Sequence, residues 1–258
     1  MDSIPIVVCG FPKSGTTWVA RLIGSLLSCP VKGYLGFEGK ALATEGLDRS
    51  SKYTCYKSHG GLEEIRSHYP NIQYLVYVVR DPRDVIVSAA YHFEFLPKMA
   101  IPIRNKLKRI TIVNEWFKKL VRSRVSHSKR IEFAKNMILE GSPDYPGCKF
   151  SWIDHVYQFQ KPEILVLQYE NLLANQKNEC HRIMNFIGEH LDEDHISKAI
   201  ASESFEIKKQ QFKQANETKK YAHLRSGKSG TWKAELSPSI LKELRGQIGP
   251  KMASYGYV

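Results

Sequence analysis

The apolar run Ile4-Pro-Ile-Val-Val-Cys9 leads directly into Gly10-Phe-Pro-Lys13-Ser14-Gly15-Thr16-Thr17-Trp18, and a helical pattern follows from Thr17 to Leu27. A strand that ends in a glycine loop and re-enters as a helix gathers backbone N–H groups and a helix N-terminus at one point, where a phosphate can be held. The same arrangement commits the chain to an α/β design, because strands that alternate with helices pair in parallel. Further strands are expected at Tyr53–Lys57, Gln73–Val79 and Ile164–Gln168. Tyr74-Leu-Val-Tyr-Val-Val79 is almost continuously apolar, as a strand covered on both faces should be. Helices are expected at Leu62–His68, Pro82–Glu94, Val113–Val125, Trp152–Gln160, Leu172–Ile187, Asp192–Ser202 and Pro238–Gln247. With no repeats and no linker, the expectation is one domain over 1–258: a central parallel sheet flanked by helices. Residues 206–233 are polar and weakly periodic, and read as a long loop or lid.

Composition narrows the function. The 42% hydrophobic and 25% charged fractions are those of an ordinary globular chain. No apolar run approaches the ~20 residues of a membrane span. No basic segment precedes an apolar one at the N-terminus, so no signal peptide is expected. Cys9, Cys29, Cys55, Cys148 and Cys180 show neither CxxC nor metal-ligand spacing, which fits reduced thiols and a cytoplasmic setting. The net charge of +12 calls for an anionic partner. No nucleic-acid-binding motif is present, so a basic cleft for a multiply phosphorylated small molecule accounts for the charge. The basic run Arg104–Arg130 reads as a solvated helical face.

The loop lysine is displaced from where ATP cleavage needs it. A nucleoside triphosphatase places lysine after the last glycine, then a Mg²⁺-binding hydroxyl. Here Thr16 and Thr17 follow Gly15, and the lysine stands upstream at Lys13. Two more strands end in pointed chemistry, in Lys57-Ser-His59 and in Arg80-Asp-Pro-Arg-Asp84, with Ser88 in the next helix. Ligands of open α/β sheets bind beyond the carboxyl ends of the strands. These residues should therefore share one crevice.

In these segments the chain resembles the sulfotransferases that use 3′-phosphoadenosine 5′-phosphosulfate (PAPS) as donor. PKSGTTW at 12–18 is similar to that family's 5′-phosphosulfate loop. Arg80 and Ser88 look like its 3′-phosphate site, and Lys57-Ser-His59 like its Lys-x-His. Tyr169 in LQYENL, Ser204-Phe205, and RSGKSGTWK at 225–233 follow in the family's order. The resemblance implies a P-loop-like sulfotransferase fold with PAPS as cosubstrate, 3′-phosphoadenosine 5′-phosphate (PAP) as product and no metal. It implies that Lys13 sits on the bridging oxygen, Lys57 on the sulfuryl oxygens, and that His59 takes the acceptor's proton. Ser14, Gly15, Thr16 and Thr17 would hold the 5′-phosphate. Arg80 and Ser88 would hold the 3′-phosphate, with Arg225, Ser226 and Gly227. Trp18 and Phe205 would pack against adenine.

The chain departs from the pattern in places. Ser226 stands where a basic residue usually follows the arginine, and Lys228 could replace that charge. Thr231 stands where an acidic residue is common, and the usual dimerisation signature is not reproduced, so oligomeric state is open. The acceptor pocket should draw on segments 34–48, 91–104 and 142–155, whose aromatics suit a flat molecule. Their carboxylates Glu38, Glu45, Glu94, Asp144 and Asp154 suit a cationic one. The compact N-terminus resembles that of bacterial secondary-metabolite sulfotransferases, including those tailoring saxitoxin-type alkaloids, which implies a natural-product acceptor. A P-loop kinase or nucleotide hydrolase is opposed by the displaced lysine. A non-enzymatic PAP or polyanion binder is opposed by the intact Lys13 and His59.

Overall fold

β1 (Ile4–Cys9) runs through the interior of the sheet, hydrogen-bonded in parallel to β5 (Tyr53–Ser58) on one side and β6 (Tyr74–Val79) on the other. The computed structural model describes residues 3–38, 44–93, 125–143, 145 and 147–257. The sheet order is β3-β2-β5-β1-β6-β7, where β2 is Val31–Tyr34, β3 is Phe37–Glu38 and β7 is Leu165–Gln168. The short β3 and β4 (Thr44–Glu45) pair antiparallel with β2, and the other pairings are parallel.

Period-two alternation divides β1 between two cores. Val7 and Cys9 face one side of the sheet with Tyr77, Val79, Trp152 and Phe159. Ile6 and Val8 face the other with Val19, Ile23, Ile183 and Met184. Burial on both faces is why these strands read as apolar runs. The first face is covered by helices α2 (Leu62–His68), α3 (Pro82–His92), α4 (His127–Glu140) and α5 (Trp152–Gln158), with α12 (Pro238–Ala253). The second is covered by α1 (Thr16–Leu26), α7 (Gln176–Ile187) and α8 (Glu193–Ser202). Between β7 and α7 lies the short α6 (Tyr169–Ala174), and α9 (Phe205–Gln214), α10 (Thr218–His223) and α11 (Trp232–Glu235) precede α12.

The expected strands are present within a residue at each end, and the differences elsewhere have local causes. The helix expected over 172–187 is two, because Asn175 leaves helical geometry (φ −149°, ψ 72°) and caps α7 by accepting from Asn178 N–H. The stretch read as one loop from 206 begins with α9 and α10 and is irregular only at 215–217 and 224–231. Its helical period is masked because one of the two buried positions of α9 is a lysine, Lys208, beside Phe212. β2 escaped notice because four residues containing Lys32 and Gly33 carry almost no strand signal. α12 continues past Gln247 to Ala253 through Pro250. Helix α4 was not expected. The helix expected at 113–125 lies outside the described residues except for Val125, as does most of the run Arg104–Arg130.

Candidate active site

The loop after β1 folds back on itself through Ser14 N–H donating to Phe11 C=O at 3.1 Å. Two left-handed residues shape it, Gly15 at φ 97° and Lys13 at φ 76°. A lysine in that region is strained, and such strain collects at ligand-binding loops. α1 starts at Thr16 with no side chain capping it, so its first N–H groups point into the loop.

The ends of β1, β5 and β6 meet here. A cavity of about 460 Å³ is lined by Lys13, Gly15, Thr16, Thr17, Trp18, Lys57, His59, Arg80, Ser88, Tyr169, Ser204, Phe205, Arg225, Ser226 and Gly227. Ser14 is wholly buried beneath it. Every site residue expected from the sequence thus lies in or under one hollow. Lys228 does not line it: its side chain is exposed, and its carbonyl, not its ammonium, reaches the site by accepting from Arg80 at 3.0 Å.

Lys57 Nζ donates to Thr17 Oγ1 at 2.6 Å and lies 4.4 Å from the centre of the Tyr34 ring. Burial, then the Arg21 charge, pushes its ammonium down to about 7. Lys13 is likewise pushed to about 7 by burial, then by the charges of Lys57, Arg80 and Arg225. Lys13, Lys57 and Arg80 converge here with no carboxylate in salt-bridge reach among the described residues, and Arg225 has Glu235 only at 3.8 Å. That is the electrostatic signature of a polyanion site.

Two polar atoms reinforce it. Ser14 Oγ and Arg80 Nε are buried with no hydrogen-bond partner, though Arg80 also donates to Lys13 C=O at 3.2 Å. The guanidinium stacks on Tyr169 at 4.1 Å, which fixes its plane. Orphaned donors on the loop and at the end of β6 suit two separate phosphates, so the residues present fit a nucleoside 3′,5′-bisphosphate.

His59 is held by hydrogen bonds on both its ring and its backbone. Its Nδ1 lies 2.7 Å from Gly10 C=O. A carbonyl only accepts, so Nδ1 carries the proton and Nε2 keeps its lone pair. Burial, then Lys57, holds its pKa well below the usual histidine value. The carbonyl of His59 accepts from His155 Nε2 at 3.2 Å, and His155 Nδ1 accepts from the Tyr77 hydroxyl at 2.9 Å. Burial pushes His155 down to about 4, so it stays neutral.

Sequence reasoning missed several contributors. Asp84, wholly buried in the first turn of α3, accepts from Gly230 N–H, Thr231 Oγ1 and Trp232 N–H at 2.6, 2.8 and 3.1 Å. It thereby anchors the segment that carries Arg225 to Gly227. The threonine at 231 fits because a second carboxylate would face Asp84. Arg225 rests on Tyr91 at 4.8 Å and donates to Thr231 Oγ1 at 3.3 Å. Tyr34, Arg21, Glu203 and Lys208 also line the cavity. Of these only Tyr34 had a positional signal, as the first residue of the segment 34–48 expected at the acceptor pocket.

Of the carboxylates expected at the acceptor pocket, Glu45 pairs with Arg21 and Lys208, and Asp154 accepts from Ser151 Oγ at 2.6 Å. Glu94, Asp144 and the Glu38 side chain lie outside the described residues. Tyr34, His92 and Phe93 line the cavity along with His59. Among the described residues no group of acidic, histidine and cysteine side chains is arranged to hold a metal ion, and no helix is long and apolar enough to cross a membrane.

Comparison with known proteins gives one consistent answer. The family described as the sulfotransferase domain matches residues 3–256. The 3-beta-hydroxysteroid sulfotransferase of Cavia porcellus is 25% identical over 95% of this chain and 82% of its own length. Sulfotransferase 1B1 of Canis lupus familiaris is 26% identical over 88% of this chain and 76% of its own. Mouse sulfotransferase SULT7A1, solved in complex with PAP, superposes with a TM-score of 0.68 at 21% identity, covering 97% of this chain and 84% of that one. Retinol dehydratase, solved with androsterone and inactive cofactor PAP, superposes at 0.64 and 17% identity over 98% and 81%.

Proposed function

The chain belongs to the sulfotransferase family, and from that premise we propose that it transfers a sulfuryl group from PAPS to a hydroxyl or amine of a small molecule, releasing PAP. The observation that carries this reading is the convergence of Lys13, Lys57, His59, Arg80 and Ser88 on one cavity, with Ser14 Oγ and Arg80 Nε buried beside it and unpartnered. PAPS, when bound, supplies an activated sulfuryl group on a phosphate leaving group.

In this reading each residue answers one demand of the displacement. His59 Nε2 takes the acceptor's proton as the acceptor oxygen or nitrogen bonds to sulfur, with Nδ1 pinned to Gly10. Lys57 holds the sulfuryl oxygens. Lys13 meets the electron pair left on the phosphate oxygen when the S–O bond breaks, aided by the N–H groups from Ser14 to Thr17. Arg80 and Ser88 grip the 3′-phosphate, and Asp84 holds the segment of Arg225, Ser226 and Gly227 over it. Trp18 and Phe205 supply flat faces for adenine. A kinase or hydrolase reading lacks support, since the loop lysine stands at Lys13, upstream of Gly15, and the Thr17 hydroxyl accepts from Lys57 at 2.6 Å.

We read the acceptor as a neutral, flat molecule with a free hydroxyl. Tyr34, Phe93 and His92 line its side of the cavity, and two carboxylates that would draw a cationic alkaloid there, Glu45 and Asp154, are engaged elsewhere. Named relatives act on hydroxysteroids. Incubation with ³⁵S-labelled PAPS and a panel of phenols, steroids and guanidinium alkaloids tests both levels. Label transfer to a phenol or steroid is expected. Transfer to no acceptor in the panel would remove the enzymatic reading, and exclusive transfer to an alkaloid would restore the cationic one.

A further inference from the structure

Arg225 reaches the cavity from the irregular segment between α10 and α11, where no helix or strand fixes its backbone. Its guanidinium is held by side chains instead. Cζ lies 4.8 Å from the centre of the Tyr91 ring on α3, and Nη2 donates to Thr231 Oγ1 at 3.3 Å. Nη1 stands 3.8 Å from Glu235 Oε1 on α11. Glu235 is itself fixed from two sides. His127 Nε2 on α4 donates to its Oε2 at 3.0 Å, and the Tyr91 hydroxyl is hydrogen-bonded to it. The Tyr91 and His127 rings lie 4.9 Å apart. One carboxylate therefore joins α3, α4 and the segment that carries Arg225.

This arrangement decides how the guanidinium is presented. Arginine carries five N–H donors in a rigid fork. With one turned to Thr231 and one to Glu235, three remain for a ligand. A partly exposed pair at 3.8 Å adds little to stability. Its value lies in orientation. An arginine already aimed at its target loses less rotamer freedom when an anion arrives, and that saving appears as affinity. Arg225 lines the cavity, whereas Glu235, His127 and Tyr91 do not. The carboxylate thus stands behind the guanidinium and acts on a bound anion only through it.

Resting on the donor reading above, we propose that Glu235 is a positioning residue that aims Arg225 at the donor's 3′-phosphate. It thereby sets how strongly the protein prefers a 3′-phosphorylated nucleotide over its 3′-hydroxyl counterpart. Glu235 touches no ligand: His127 and Tyr91 hold it, and it holds Arg225.

The test is binding, without turnover. PAP and adenosine 5′-monophosphate (AMP), which differ only in the 3′-phosphate, are titrated calorimetrically into the wild type, Glu235→Gln, Arg225→Ala and the double variant. Glu235→Gln keeps the size of the side chain and removes its charge. It should weaken PAP about three- to tenfold and AMP by less than about twofold. In the Arg225→Ala background the same substitution should change neither affinity, because the residue it acts through is gone. Equal weakening of both nucleotides, or a loss that persists without Arg225, would make Glu235 merely structural and overturn the proposal. Unchanged PAP affinity would overturn it too, and tighter PAP binding would make Glu235 a competitor for Arg225. A wild type that prefers PAP leaves the donor reading intact in each of these cases; one that binds PAP no better than AMP overturns both. Should Glu235→Gln fail to fold, Tyr91→Phe decides. It removes the hydroxyl on Glu235 and keeps the ring beside Arg225, so the preference for PAP should fall about twofold, and an unchanged preference would overturn the proposal.

Discussion

Tyr169 occupies the space that any side chain at position 15 would need: a Cβ built on Gly15 would stand 2.7 Å from Tyr169 Cδ2. Gly15 also sits at φ 97°, which L residues adopt at a cost. Two independent penalties therefore oppose Gly15→Ala. The substitution should lower unfolding free energy by about 1–3 kcal/mol in urea titration. Adding Tyr169→Ala should return only the steric share, because the dihedral strain stays. An unfolding curve unmoved by Gly15→Ala would show that the loop is not held as described.

The paired lysines predict a proton linkage with a definite sign. Lys13 and Lys57, ordinarily near 10.5, are pushed to about 7, chiefly by burial and then by neighbouring cations. At pH 8 both are largely neutral in the free protein, and phosphate and sulfate oxygens would draw them back to the charged form. Nucleotide binding at pH 8 should take up protons, as many as about two, and affinity should fall between pH 7 and 9. Free-protein stability moves the other way. Between pH 7 and 10.5 the unfolded chain holds more protons than the folded one, so stability rises with pH across that window. Calorimetry in buffers of different ionisation enthalpy reads the uptake directly. Zero uptake, or release, contradicts the burial of these two ammoniums.

The parts of this site legible in the sequence are those fixed by local order. Lys13, Lys57, His59 and Arg80 lie at or just after the ends of β1, β5 and β6, and strand ends in a parallel sheet point to one edge. Asp84 was hidden because an acid in the first turn of a helix reads as a favourable helix start. Its real partners, Gly230 to Trp232, lie almost 150 residues away. Glu203 and Lys208 were hidden for a related reason. Buried charges break the apolar period that reveals a helix, and their pairing with Arg21 and Glu45 exists only after folding. His155 showed no ligand spacing, and its role is to hold the backbone of His59, which no motif records.

His59 provides the sharpest test of the chemistry. Gly10 fixes the proton on Nδ1, so the lone pair faces away from the loop on Nε2, and burial with Lys57 nearby holds the ring neutral well below pH 6.5. A base that is already neutral does not limit the rate near neutrality, so the acid limb of the kcat profile should lie well below the ordinary histidine range. His59→Ala should reduce kcat by about 10²- to 10⁴-fold with the best acceptor. PAP affinity should change by less than about threefold, because the ring makes no phosphate contact in this reading. Tyr77→Phe removes only the donor to His155 and should lower kcat by a much smaller factor while shifting that acid limb. If His59→Ala kept full kcat, the base would have to be another group. If it lost PAP binding in parallel with rate, His59 would belong to the nucleotide site instead.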